Sequence, residues 1–358
     1  MAFSKSRLLY FRHALRIAIF LQIVVTYYVS SVYLNLLQIA VTACRFVPKK
    51  RRLMFCRFFS RSWWRVSVFG LIRFLKVKFI FYGDDPSPAR PGVFICNHSR
   101  GIDFMTIIVN LLSTGIDLSK ITVMSKKWLL MVPAIGPMLF FQGSLFLDRN
   151  WQNDKSKIEQ CVSKQLSERK EGIIAMFPEG TRFSDVKLSL CRKFAAERNL
   201  PLPKHVLTPR VKGFAELLSI RKHSFEFIYD FTIVYRPKNV RIRNFIFSKN
   251  LNCEVHVLRR FVSLDDFPND KKGIADWLYK SFAEKDKEID YYMKNGSFDA
   301  EKRDIKIPSF ELNYFLHCIL SGICIRFILG LICEYKKQFF GLWCVIMWMT
   351  TAEVNICQ

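Results

Sequence analysis

A chain of 358 residues is long enough for one large domain or two small ones, and its net charge of +25 implies an anionic partner such as nucleic acid, an acidic membrane or a phosphorylated substrate. The 34 Phe and 7 Trp favour the membrane, because aromatic rings and Lys or Arg side chains both settle at the headgroup level. The 11 cysteines are odd in number and form no Cys-x-x-Cys pair, which argues against a disulfide framework or a zinc site.

Residues 1–48 are predicted to form a membrane anchor or hairpin. The run 17–44 contains no charged residue, and as a helix it would reach roughly 40 Å, enough to cross a bilayer core of about 30 Å. Polar residues within the run also leave a membrane-embedded hairpin open; they are Tyr27, Tyr28, Ser30, Ser31, Asn35 and Gln38. Basic residues flank both sides, and the heavier cluster follows, so the positive-inside rule predicts that the rest of the chain faces the cytosol.

Residues 49–84 form a basic and aromatic segment. On a helix, Arg57, Arg61 and Arg65 share one stripe, with Phe55, Phe59 and Val66 roughly opposite. This pattern predicts an interfacial helix on anionic lipid, and a solvated charged face over an ordinary core is the alternative.

Between about residues 78 and 297 the chain has the composition of a globular α/β domain. Strands are predicted at residues 78–82, 93–96, 121–124, 144–147, 173–177, 226–235 and 254–262. Helices are predicted at residues 104–112, 153–170, 212–221 and 271–293. This alternation predicts an α/β fold with a mixed, largely parallel sheet flanked by helices.

Residues 301–358 are predicted to be membrane-associated, which would place membrane-embedded helices at both ends of the chain. The apolar segments 312–325 and 338–352 are each shorter than a normal span. Charged residues lie between them: Arg326, Glu334, Lys336 and Lys337. Short segments bounded by charge favour an embedded hairpin, and a pair of packed helices is the alternative.

The strand predicted at residues 93–96 leads into Asn-His-Ser-Arg-Gly-Ile-Asp at residues 97–103. The end of a strand is where open α/β sheets place functional groups. His98 suits proton abstraction near neutral pH, and Asp103 would fix its tautomer and stabilise the imidazolium. A surface-loop histidine beside a helix-capping aspartate is the alternative.

A second motif, Phe-Pro-Glu-Gly-Thr-Arg at residues 177–182, also follows a predicted strand. Arg182 can hold a phosphate with its planar donors, and Gly180 lets backbone approach a ligand closely. Together the two motifs predict chemistry on a phosphorylated alcohol, and the apolar chain ends indicate an alcohol that lies in a membrane. An ordinary strand-ending turn is the alternative for the second motif.

With these motifs in order, the chain resembles the glycerolipid acyltransferases that use acyl-CoA, including the 1-acylglycerol-3-phosphate acyltransferases. The family's remaining two blocks match residues 126–149 and 206–214. The stretch 277–292 further resembles the branch of lysocardiolipin and lysophosphatidylinositol acyltransferases. The resemblance covers roughly residues 85–300.

That resemblance implies an O-acyltransferase of phospholipid synthesis or remodelling that esterifies the free hydroxyl of a lysophospholipid. Lysophosphatidic acid is the default acceptor, with lysophosphatidylinositol and lysocardiolipin left open. His98 would be the general base and Asp103 its orienting partner. The acceptor phosphate would be held by Arg149, Glu179, Gly180, Thr181 and Arg182, and Pro209 would shape the substrate channel. Acyl-CoA is the co-substrate, and no metal, permanent cofactor or acyl-enzyme is implied.

Several alternatives remain at this point. Pro137 after Gly136 departs from the family pattern and puts substrate choice in doubt. From the residues alone, an ion pair with Asp148 or Asp154 is an alternative role for Arg149. A catalytically inactive membrane-surface lipid-binding protein is the rival function, which the intact motifs argue against. The chain has no Gly-x-Ser-x-Gly elbow of an esterase and no nucleic-acid-binding signature.

We expect the partners to be a phospholipid membrane, a lysophospholipid and acyl-CoA. The family and the apolar ends together imply the endoplasmic reticulum membrane, with the catalytic domain facing the cytosol. Asn-His-Ser at residues 97–99 fits the N-glycosylation pattern and overlaps the suspected active site, so a lumenal orientation would risk a glycan there.

Overall fold

The computed structural model describes residues 2–69, 72, 77–85, 90–99, 102–168, 172–220, 225–237, 253–307 and 311–334. The helices are α1 (Ala2–Ala43), α2 (Lys49–Phe69), α3 (Asp103–Ser113), α4 (Ile135–Gln142), α5 (Trp151–Glu168), α6 (Asp185–Ala196), α7 (Val211–Ser219), α8 (Lys271–Asn295) and α9 (Glu311–Glu334). The strands are β1 (Lys78–Gly83), β2 (Gly92–Cys96), β3 (Ile121–Lys126), β4 (Leu145–Leu147), β5 (Ile173–Met176), β6 (Phe227–Arg236), β7 (Glu254–Ser263) and β8 (Lys302–Arg303).

The described strands form one sheet in the order β4-β3-β5-β2-β6-β7-β1-β8. The five strands from β4 to β6 in this order run parallel, which is what alternating strands and helices predict. β7 is antiparallel to β6 and parallel to β1, and β8 pairs antiparallel with β1. The prediction of a mixed, largely parallel sheet flanked by helices is therefore confirmed.

Helices cover both faces of the sheet, so β2 is buried along its whole length. Alternate side chains of a strand point to opposite faces. Phe94 and Cys96 belong to the core shared with α2, α3 and α4, whereas Val93 and Ile95 belong to the core shared with α5, α7 and α8. Because Ile95 pairs with Met176, the carboxyl ends of β2 and β5 lie side by side, and both predicted motifs leave the sheet at the same edge.

α1 is one continuous helix, and its segment Phe20–Ala43 is long and apolar enough to cross a membrane by length and composition, with a mean hydropathy of 1.5. The chain first turns at residues 44–48, after α1 has ended at Ala43, and the anchor or hairpin assignment of residues 1–48 stays a prediction. α2 then returns antiparallel to α1. Gln38 Nε2 donates to Cys56 O at 2.9 Å, and Trp63 Nε1 donates to Tyr27 O at 3.4 Å.

The two halves of α2 differ. Phe55 and Phe58 near its start are exposed, which agrees with an interfacial position. Trp63 and Trp64 near its end are fully buried, and Trp64 Nε1 donates to Gln142 Oε1 of α4 at 2.6 Å. The second half of this helix is therefore packed in the core, and the interfacial position of residues 49–84 stays a prediction.

The sequence did not predict α4 or α6. α4 is short, almost wholly apolar and carries Pro137, so its sequence lacks the periodicity of an amphipathic helix. At the carboxyl end of the chain, α9 contains the first predicted apolar segment and continues through Arg326 to Glu334. The second segment, residues 338–352, lies outside the described residues, as do the last residues of the helices predicted at 153–170 and 212–221.

Candidate active site

The structure brings His98 and Asp103 into direct contact. β2 ends at Cys96, and the next side chain, Asn97, ties this strand end to β6 by accepting from Ile233 N at 2.8 Å and donating to Ile233 O at 2.9 Å. Asp103 is buried at the first position of α3, and its Oδ2 lies 2.7 Å from His98 Nδ1. A proton on Nδ1, donated to this carboxylate, leaves Nε2 as the free lone pair, which is the arrangement of a general base.

The second motif surrounds the same histidine. The ring of Phe177 stacks on the imidazole, with centroids 3.9 Å apart and the ring planes 17° from parallel. Beyond the turn, Phe183 N donates to His98 O at 2.8 Å. The two motifs therefore form one site, with the His98 side chain 19% exposed and accessible to a substrate.

Glu179 lies on the inner side of this turn. Its Oε1 accepts from His98 N at 2.9 Å, and the residue is only 3% exposed. Burial raises the pKa of Glu179 well above its ordinary value, and the backbone N–H groups of His98 and Leu207 act in the opposite direction. Its side chain thus contacts the backbone that carries the base.

Gly180 and Arg149 adopt the left-handed backbone conformation, with φ of +66° and +67°. A Cβ atom on Gly180 would lie 3.0 Å from Arg210 Cδ, so glycine lets the Arg210 side chain lie across the turn. Arg149 reaches the same turn and donates from its guanidinium to Gly180 O. Asp148 pairs instead with Lys127 and Lys157, so the alternative ion pair between Arg149 and Asp148 is absent from the described residues, as is one with Asp154.

Five cationic side chains gather at the Gly180–Arg182 turn, and we call them the basic cluster: Lys126, Arg149, Arg182, Lys187 and Arg210. Lys187 Nζ donates to Thr181 Oγ1 at 2.7 Å and to Arg182 O at 3.1 Å. Partial burial lowers the pKa of Lys126, and the other four charges lower it further. Within the described part of the chain, none of the five pairs with a carboxylate. Five cations without a carboxylate partner beside His98 would attract an anionic group.

Comparison with known proteins matches residues 78–235 to the family model described as Acyltransferase and residues 246–319 to that described as Acyltransferase C-terminus. Over 312 residues the chain is 31% identical to 1-acyl-sn-glycerol-3-phosphate acyltransferase gamma of Homo sapiens, covering 84% of this chain and 81% of that protein. The chain belongs to the glycerolipid acyltransferase family.

This acyltransferase is also 28% identical to 1-acyl-sn-glycerol-3-phosphate acyltransferase 2 of Brassica oleracea over 322 residues, which cover 87% of this chain and 81% of that protein. The crystal structure of the 1-acyl-sn-glycerophosphate (LPA) acyltransferase PlsC from Thermotoga maritima aligns with a TM-score of 0.43 and 12% identity, over 76% of this chain and 95% of that one.

Pro209, predicted to shape the substrate channel of the acyltransferase, is buried beside the basic cluster. It lines a cavity of about 430 Å³ between residues 200–209 and α8. The next residue, Arg210, donates its N–H to Pro178 O at 2.8 Å, which ties this segment to the turn of the second motif. The channel assignment itself stays a prediction.

Sequence reasoning missed three cations of the cluster and one buried tyrosine. Lys126 lay inside the second family block and Arg210 inside the fourth, but neither was singled out, and Lys187 lies in the unpredicted helix α6. Tyr235, near the end of β6, donates from its hydroxyl to Asp103 Oδ1 at 2.6 Å. That contact joins residues far apart in the sequence, and no local pattern indicates it.

Proposed function

We propose that this acyltransferase transfers the acyl chain of acyl-CoA to the free hydroxyl of a 1-acyl-sn-glycerol 3-phosphate, the acceptor in the names of its relatives. The observation that carries the proposal is the basic cluster beside the His98–Asp103 pair. A phosphate monoester carries roughly −1.5 to −2 charges at neutral pH and accepts charge-assisted hydrogen bonds. The cluster therefore suits the phosphate end of this acceptor.

His98 would act as the general base. Its Nε2 takes the proton of the acceptor hydroxyl while that oxygen attacks the carbonyl carbon of the thioester. Asp103 stabilises the imidazolium that forms, as a buried carboxylate does in serine-protease triads. The tetrahedral intermediate then collapses, the C–S bond breaks, and the CoA thiolate leaves with the proton that His98 returns. The acceptor supplies the nucleophile, so the protein need not form an acyl-enzyme.

The residues predicted to hold the phosphate divide into two groups in this proposal. Arg149 and Arg182 lie in the basic cluster, and the Gly180–Thr181 backbone forms the turn at its centre. Glu179, in contrast, is buried and contacts His98 N, so we assign it to holding the catalytic loop.

The remaining expectations belong to the same proposal. The apolar segment of α1 supports membrane association, and the membrane would present the lipid acceptor to the cluster. A position in the endoplasmic reticulum membrane with the site facing the cytosol is supported by the basic residues after α1. Lysophosphatidylinositol and lysocardiolipin remain rival acceptors, on the resemblance of residues 277–292, and a catalytically inactive lipid-binding protein is the rival function.

The test is acyl transfer by the purified full chain from labelled oleoyl-CoA to a panel of lysophosphatidic acid, lysophosphatidylinositol and monolysocardiolipin. We expect the highest kcat/KM for lysophosphatidic acid. His98→Ala should lower kcat by about 10²–10⁴-fold, because general-base catalysis supplies rate enhancements of this size. Wild-type lipid binding without transfer to any acceptor would support the inactive lipid-binding protein.

A matched control uses another His–Asp pair of the acyltransferase. His205 Nε2 lies 3.1 Å from Asp290 Oδ1, between a loop and α8. His205→Ala should keep kcat near the wild-type value, because His205 contacts neither His98 nor Asp103, and any effect on the cavity that Asp290 lines should appear in KM. Equal rates for wild type and His98→Ala would contradict the catalytic assignment, and a preference for another acceptor would contradict the proposed substrate.

A further inference from the structure

One oxygen of the Asp103 carboxylate accepts a hydrogen bond from a hydroxyl group, and the other lies close to an imidazole. Tyr235 OH donates to Oδ1 at 2.6 Å, and His98 Nδ1 lies 2.7 Å from Oδ2. Both distances are those of short, charge-assisted hydrogen bonds. A change at Tyr235 can therefore affect His98 through the Asp103 carboxylate, which both side chains contact.

The surrounding structure holds Tyr235 in this position. The residue is 4% exposed, and its hydroxyl oxygen lies 3.0 Å from Thr106 Oγ1, one turn along α3 from Asp103. Asn97 fixes the pairing of β2 with β6 at Ile233, two residues before Tyr235. The strand register thus places the Tyr235 hydroxyl within hydrogen-bond distance of the Asp103 carboxylate. Burial, followed by the charge of Asp103, raises the pKa of Tyr235 well above its ordinary value, so the hydroxyl remains a donor at working pH.

We propose that Tyr235 is a positioning residue of the acyltransferase, which orients the Asp103 carboxylate toward His98 and moderates its attraction for the imidazolium. The inference rests on the proposed acyl transfer, because it assigns a role at the same base. A carboxylate that shares its charge with a second donor attracts a cationic imidazole less strongly. Loss of the hydroxyl would leave the carboxylate more strongly attractive and less well oriented.

Other titratable groups face this site from the elements packed around it. Cys96 lies on β2, Glu179 follows β5, Asp230 lies on β6, and Lys285 reaches in from α8. All of them are present in both wild type and a Tyr235→Phe variant. A difference between the two enzymes in the response to pH therefore reports the single missing hydroxyl.

The experiment compares Tyr235→Phe with a matched variant on the same strand, Tyr229→Phe. Tyr229 is equally buried, and its hydroxyl donates to Arg90 O at 2.8 Å, away from the site. For Tyr235→Phe we expect kcat to fall about tenfold, and KM for lysophosphatidic acid to stay within about twofold of wild type. A tenfold fall corresponds to the loss of one hydrogen bond to a charged group. The acidic limb of the kcat/KM profile should move to higher pH, and Tyr229→Phe should keep the wild-type values.

A second readout does not depend on acyl transfer. Diethylpyrocarbonate modifies the unprotonated imidazole, and mass spectrometry of the peptide that contains His98 gives the modified fraction at each pH. We expect half-maximal modification at higher pH in Tyr235→Phe than in wild type or Tyr229→Phe. If the protein does not use lysophosphatidic acid but half-maximal modification of His98 still moves to higher pH in Tyr235→Phe, the proposed acceptor is refuted and the role of Tyr235 is supported. Unchanged kcat or an unmoved modification profile would overturn the inference, as would equal losses in the two Phe variants.

Discussion

At the scale of single residues, the imidazole of His98 is held on several sides before any substrate arrives. Asp103 contacts its Nδ1, Phe177 stacks on its ring, and Glu179 and Phe183 bind the backbone of His98. The contacts come from both motifs and from the residue that follows the second motif. In the proposed mechanism, a base fixed in this way needs little reorganisation when the acceptor hydroxyl loses its proton, and such preorganisation is a main source of catalysis.

Two adjacent lysines offer a test of the basic cluster. Lys126 belongs to the cluster, whereas the neighbouring Lys127 pairs with Asp148 at 3.2 Å and is mostly exposed. Lys126→Ala should raise KM for lysophosphatidic acid about tenfold, because one hydrogen bond to a charged group contributes about 1.5–3 kcal/mol. Lys127→Ala should stay within twofold of wild type, since exposed ion pairs contribute little.

Steady-state kinetics at two salt concentrations complete this test. The difference in KM between Lys126→Ala and wild type should shrink at the higher salt concentration, because salt screens the attraction between Lys126 and the phosphate in the wild type. Similar KM values for the two variants would show that position 126 does not bind the phosphate.

At the scale of elements, a buried charged network fastens α8 to the sheet. Asp230 on β6 is 1% exposed, pairs with Lys285 of α8, and accepts from Arg260 at 2.9 Å and from Ser281 at 2.9 Å. Burial alone would raise the pKa of Asp230, but the charges of Lys285 and Arg260 hold it below its ordinary value. The carboxylate therefore favours the folded state at neutral pH.

Asp230→Asn should lower the free energy of unfolding by about 3–5 kcal/mol at neutral pH, because it leaves Lys285 as a buried charge without its counterion. The pKa of Asp230 is lower in the folded than in the unfolded chain, so its contribution is complete above the ordinary aspartate value of 3.8 and is lost as the pH falls below it.

Denaturant unfolding of the purified protein in detergent, measured from neutral to acidic pH, checks this prediction. The difference in the free energy of unfolding between wild type and Asp230→Asn should become smaller below about pH 4. A difference that stays constant across the acidic range would mean that Asp230 does not contribute through its charge.

At the scale of the whole molecule, the helices at the ends of the chain are packed on the catalytic domain by polar contacts. Asn35 Nδ2 of α1 donates to Ala134 O at 3.3 Å, at the residue before α4. His317 of α9 contacts Tyr33 of α1 and lies 2.8 Å from Ser62 Oγ of α2. Asn35 thus joins α1 to the residue before α4, and His317 joins α9 to α1 and α2.

Membrane fractions from cells expressing the full chain give a test at this scale. We expect the protein to stay in the membrane pellet in about 1 M NaCl, because salt screens the charge of +25 but does not weaken apolar burial of α1. Detergent should release it. Release by salt alone would mean that basic residues, and not α1, hold the protein on the membrane.

Much of the catalytic domain could be predicted from the sequence because its signals are local. The strand at residues 93–96 is a continuous apolar run, and four residues between His98 and Asp103 suffice for a loop that returns the carboxylate to the ring. α6 was not predicted, although Val186 and Leu190 lie one helical turn apart, and both side chains are exposed in the structure. The buried half of α2 escaped because its tryptophans pack on α3 and α4, which a single helix pattern does not show.

The sequence by itself indicated most of the strands and helices, the family, and the pairing of His98 with Asp103, because these signals lie in short local motifs of the chain. Only the tertiary structure decided which cations surround the second motif, that Glu179 contacts the His98 backbone, and that Tyr235 binds the Asp103 carboxylate. The reason is physical: these contacts join the ends of different strands, and their distances depend on strand order and register, which no local pattern of residues encodes.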